Sequence, residues 1–190
     1  SPTVLFTKTL TNTEGRTDVI ASIANKNAIA AAKNVSYRVQ LYSTDQTIIQ
    51  EVSGTLDLPP GATVPVFIPG VASGKQTVAR AFLTIDQSSL RWFALPTDPR
   101  ILPKVSNTSP GGTVDMPRVE AVLQNSSVTA LTNVKVIVLV HDSRGEIVAA
   151  SSTVVPTIPG QGQASATFTW NNPFSSAPSL IEVVPIIPLP

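Results

Sequence analysis

The chain has 190 residues, of which 13% are charged and 42% hydrophobic, with a formal net charge of +1. An ordinary soluble domain carries about 25% charged residues, so Ser and Thr hydroxyls must cover much of the solvated surface, a palette that suits a secreted or surface-displayed β protein better than a cytosolic enzyme. The near-zero net charge, with no run of Lys or Arg, leaves no footprint for nucleic acid or an anionic membrane, and the lack of Cys excludes disulfides and thiolate metal sites without deciding the compartment.

Seventeen prolines leave almost no window for a helix of usual length; the only helix-like stretch is 28–33. In chain order the sequence predicts an opening strand over 4–11, ahead of the apolar stretch 19–25. A half-buried strand follows, in which Val35, Tyr37, Val39 and Leu41 alternate with Ser36, Arg38 and Gln40. Then come a polar turn over 43–46, an extended run over 47–58, a Pro60-Gly61 corner, a strand over 63–68, a loop, and a closing strand over 77–85.

The second half repeats the order at a spacing of about 99 positions. Val119 to Asn125 answers Val19 to Asn25, Asn133-Val134 answers Asn34-Val35, and Pro159-Gly160 answers Pro60-Gly61. The strand of Val134, Val136, Val138 and Val140 keeps the inner apolar face, while Ile137 and Leu139 stand where the first half has Arg38 and Gln40. A turn over 142–145, an extended run over 146–158 and strands over 163–170 and 179–187 complete it. The expected architecture is therefore all-β: two tandem immunoglobulin-like antiparallel sandwiches of about seven strands each, one over residues 1–96 and one over 97–190, joined by a proline-bearing linker over 94–103.

These residues carry a family resemblance. Val39-Gln40-Leu41-Tyr42-Ser43 and Val138-Leu139-Val140-His141-Asp142, with the upstream Asn-Val pairs, the Arg144-Gly145 turn and the Pro-Gly corners, resemble the FxLYD-type and LEA14-like immunoglobulin-like β-sandwich domains of prokaryotic cell-envelope proteins. The resemblance covers nearly the whole chain. Ser43 stands where the pattern has Asp, and His141 where it has Tyr. It implies a non-enzymatic extracytoplasmic domain downstream of a membrane anchor and brings no functional residues with it.

Candidate sites are few. His141 adjoins Asp142, but neighbours on a strand point to opposite faces, and one His without Cys is a poor zinc set. The expectation is a strand-end histidine facing solvent, with no catalytic, cofactor or metal residues anywhere. Arg144 stands where a calcium loop over 142–146 would need an oxygen. Glycosylation sequons occur at Asn34, Asn107 and Asn125. Trp92 and Trp170 suggest a carbohydrate platform, against which stand a domain-junction role for Trp92 and a core or sandwich-end role for Trp170.

The expected protein-contact face is Ile137, Leu139, Leu180, Val184 and Ile186, an apolar outer surface on the second half. The functional expectation is a non-enzymatic structural or protein-interaction module of the cell envelope or cell surface, a spacer or a subunit of a surface filament or layer. Its partner would be protein, either itself or another envelope protein, with no nucleic acid and no membrane insertion by this segment. The alternative is a carbohydrate-binding module. The chain begins at Ser1 without an initiator Met and reads as trimmed, either by removal of an N-terminal signal or anchor in nature or as an excised piece of a longer protein.

Overall fold

A computed structural model describes every residue except Thr13 and 73–75, so part of the expected loop after residue 68 lies outside the described residues. The chain is all-β, with antiparallel sheets throughout. Among the described residues its one helical element is a 3-10 turn at Gln87–Ser89, and no helix is long and apolar enough to cross a membrane. It divides into two compact units, Ser1–Pro99 with Pro188–Pro190, and Arg100–Ile187.

The first unit contains β1 (Thr3–Thr11), β2 (Arg16–Ala24), β3 (Ala30–Ser43), β4 (Ile48–Leu58), β5 (Thr63–Ala72), β6 (Val78–Ile85) and β7 (Trp92–Ala94). One sheet runs β1-β2-β5; the other runs β4-β3-β6, with β7 also on β3. The alternation read in β3 holds: Val35, Val39 and Leu41 are 0% exposed, Arg38 is exposed, and Ser36 and Gln40 are intermediate. Helix-like residues 28–33 form a bend and the start of β3 instead. Ala31 and Ala32 are fully buried opposite Phe93 and Trp92 of β7, so tertiary packing overrides the helical preference of alanine.

The second unit contains β8 (Lys104–Gly112), β9 (Pro117–Gln124), β10 (Leu131–His141), β11 (Ile147–Ile158), β12 (Gln163–Thr169) and β13 (Leu180–Ile186). Its sheets are β12-β9-β8 and β11-β10-β13. Val119 and Leu123 meet Val134, Val136, Val138, Val140 and Phe168 in its core. It has six strands where about seven were expected. The segment between β12 and β13 is irregular, and its Phe174 packs edge-on against Trp170, centroids 5.1 Å apart.

One local device recurs in both units. Asn25 is 3% exposed and Asn125 2%. The Asn25 carboxamide donates to the carbonyls of Ala30 and Pro59, each at 2.9 Å, and its oxygen accepts from Asn27 N–H. Asn125 donates to Thr129 and Ile158 and accepts from Ser127 N–H. Each residue's own N–H also reaches across, to Ala62 and to Gly162 respectively. Buried polar groups persist where they are hydrogen-bonded, and here one amide ties three chain segments together.

The corners pair differently from the Pro-Gly echo. Gly61 (φ 61°) donates its N–H to Asn27, and Gln161 (φ 51°) donates to Ser127. Gly61 therefore corresponds to Gln161, and Pro59 rather than Pro60 corresponds to Pro159, whose carbonyls accept from Ala62 and Gly162. Upstream, Asn34 (φ 52°) and Asn133 (φ 51°) occupy the left-handed region, which Asn tolerates better than most residues.

Candidate functional site

Strand register brings the five predicted contact residues onto one side of one sheet. On β10, Ile137 stands between Ser152 of β11 and Val184 of β13, and Leu139 between Ala150 and Glu182. Leu180 and Ile186 lie on the same side, opposite His141 and Lys135. The expected exposure fails at the centre. Ile137 is 1% exposed and Leu139 5%, so the chain itself withdraws both side chains from water. Val184 and Ile186 are half-buried, leaving Leu180 exposed.

What remains open is the strand edge. β13 pairs with β10 alone, and β8 with β9 alone. Between these two edges lie depressions of about 490 and 310 Å³, sharing Pro110, Pro178 and Ile181. The larger reaches Phe174 and the buried Val119. An open edge presents unpaired backbone N–H and C=O groups, and apolar side chains beside it can hold alternate residues of an added strand.

His141 is not simply solvent-facing. It is half-buried; its Nε2 lies 2.6 Å from Glu182 Oε1 and its Nδ1 3.3 Å from the Gly145 carbonyl. Glu182 was visible in the sequence as the lone charge of the last strand, but only the diagonal register reveals its partner. Asp142 turns to a different set. Burial acts to raise its carboxyl, yet the Ser176 hydroxyl at 2.9 Å, the N–H groups of Arg144 and Glu146, and the Arg144 guanidinium outweigh it and hold the group below its ordinary range. The two neighbours do not cooperate. Among the described residues, no three of His, Cys, Asp and Glu gather as a metal-binding group.

The other candidates separate cleanly. Trp170 is partly buried and donates Nε1–H to the Ala150 carbonyl at 3.1 Å, which ties it to the sandwich end. Trp92 is 40% exposed on β7. The sequon residues Asn34 and Asn107 are exposed, whereas the Asn125 amide nitrogen is engaged by two carbonyls.

Compared with family models and with curated proteins, the chain has no match. Among solved structures it is similar to red sea bream transglutaminase at a TM-score of 0.31 and 11% identity, over 98% of this chain and 31% of that one. The chain thus spans under a third of that protein's length, and a likeness at this level carries no argument about activity.

Proposed function

We propose that this chain is a non-enzymatic structural and protein-interaction module of the cell surface, a spacer or a subunit of a filament or layer. The observation that carries this reading is how its carboxylates are used. Asp18, Asp45, Asp57, Asp86 and Asp142 each accept a backbone N–H within the fold. A carboxylate held this way is a brace for a turn or strand end, and is poorly placed to exchange protons with a substrate. With the buried Asn25 and Asn125, these side chains stiffen each unit.

Contact with protein is assigned to the open edge of β13 at Leu180, beside the apolar depression, by strand addition. The surface location is tested by adding protease to intact cells that make the full-length protein. Cleavage without lysis is the expected result, and protection until lysis would overturn it. For the contact, photo-crosslinking from the exposed position 179 is expected to capture a protein, and Leu180→Arg to abolish that capture at an unchanged melting temperature. Capture that persists in the variant would remove β13 from the interface.

A further inference from the structure

Unit 1 presents a sheet face quite unlike the corresponding one in unit 2. On the outward side of β4-β3-β6, Glu51, Gln40 and Phe82 form one cross-strand row, and Ser53, Arg38 and Thr84 form the next. At the registers of Arg38 and Gln40 the second unit has the buried Ile137 and Leu139, so this surface belongs to unit 1 alone.

The first row is engaged and held. Tyr42 Oη donates to Gln40 Oε1 at 3.2 Å, and Gln40 Nε2 donates to Glu51 Oε2 at 2.8 Å. Phe82 is 51% exposed. The Tyr42 ring meets it edge-on with centroids 5.7 Å apart, and the Arg80 guanidinium lies 5.6 Å from its centroid. An exposed aromatic ring fixed by two neighbours loses little entropy when something stacks on it.

The second row behaves in the opposite way. Beside it opens a depression of about 660 Å³, lined by Arg38, Ser53, Thr55, Thr84 and Asp86 among others. Among the described residues, the side chains of Arg38, Ser53, Thr55 and Thr84 make no hydrogen bond, Arg38 acting on Asp86 only through its charge, whereas Gln40 and Glu51 in the row beside them are bonded to each other. Donors and acceptors left open around a concavity are what confer orientation on a polar ligand.

The chemistry selects the class. Arg38 and Asp86 bear opposite charges in the same depression, which disfavours an anion, and hydroxyl walls disfavour an apolar peptide. A neutral sugar chain satisfies both rows at once. The positively polarised C–H face of a pyranose lies on the electron-rich face of an aromatic ring, while its hydroxyls bond to the guanidinium and threonine groups. Adjacent rows are two residues apart, roughly 6–7 Å along a strand, comparable with the step of one pyranose ring. We propose that this face binds a neutral oligosaccharide, one ring on Phe82 and the next at Arg38, Ser53 and Thr84.

The site is independent of the β13 edge. It is tested by titrating the full chain calorimetrically with neutral hexasaccharides of glucose, mannose, xylose and galactose. Binding of at least one is expected at a Kd below about 1 mM, with Phe82→Ala and Arg38→Ala each weakening it about tenfold. Thr84→Val, nearly isosteric, is expected to weaken binding without moving the melting temperature, and Leu180→Arg to leave binding unchanged. No heat from any hexasaccharide, affinity indifferent to Phe82 and Arg38, or a response confined to acidic glycans would each overturn the proposal.

Discussion

At the scale of single residues, stability rests on polar side chains turned inward, and these give two predictions with clear signs. Asn125→Ala removes the donors to Thr129 and Ile158 and the acceptor for Ser127 N–H, stranding backbone groups away from water. Leaving buried carbonyls unmet costs about 1–3 kcal/mol each before relaxation, so a loss of roughly 2–4 kcal/mol is expected in urea titrations. A loss below about 1 kcal/mol would mean that water replaces the amide. The second prediction concerns pH. Desolvation pushes the Asp18 carboxyl above its usual 3.8, against the pull of Gly70 N–H at 2.6 Å. The folded state thus holds this proton more tightly than the unfolded state does, and the associated stability is full below pH 3.8 and lost as pH rises through the raised folded value. Asp142 has the opposite sign: its contribution is present above pH 3.8 and lost as pH falls through its lowered value. Near pH 7, therefore, Asp18→Asn is expected to raise the urea midpoint and Asp142→Asn to lower it, with both differences shrinking towards pH 3.

At the scale of elements, the inner faces were legible and the outer ones were not. Period-two alternation located β3 and β10, because one side of each must be buried in either unit, and the side chains Val35, Val39, Leu41, Val134, Val136, Val138 and Val140 are all in the core. Alternation reports which residues share a side, and Ile137, Leu139, Leu180, Val184 and Ile186 do share one. It does not report whether a central strand's second side is covered, and for Ile137 and Leu139 it is. Local preference likewise misplaced residues 28–33, whose alanines are extended by pairing with β7, and the Pro-Gly echo misaligned the corners because Gln161 adopts the left-handed backbone that Gly61 adopts. The Phe82 platform left no sequence signal beyond one aromatic in the run Val78–Ile85, since it is assembled by register across three strands. The buried outer side carries its own test. Ile137→Arg places an unpaired cation where 1% of the residue reaches solvent, and a loss of at least about 3 kcal/mol is expected by urea or thermal unfolding. Arg at the exposed position 180 is expected to leave stability within about 0.5 kcal/mol of the parent chain.

At the scale of the whole molecule, the question is what guards the open strand edges against indiscriminate pairing. A net charge of +1 supplies little repulsion, and each sandwich keeps open edges. The prolines answer it by their positions. Pro65 and Pro69 lie in β5, Pro110 in β8, Pro156 in β11 and Pro185 in β13, all edge strands in their sheets; Pro117 is the first residue of the central β9. Proline cannot donate to a ladder, so an edge that carries it pairs poorly with a second chain. On β13 this leaves the 180–184 stretch, ahead of Pro185, as the part able to accept an added strand. Replacing Pro110, Pro156 and Pro185 together by Val restores an N–H at each position together with a side chain that favours strands. The triple variant is expected to fold and to gain mass with concentration in sedimentation velocity, beyond any association of the parent chain at matched concentrations. Equal mass distributions for the two proteins would show that bulk and twist, rather than missing donors, protect these edges.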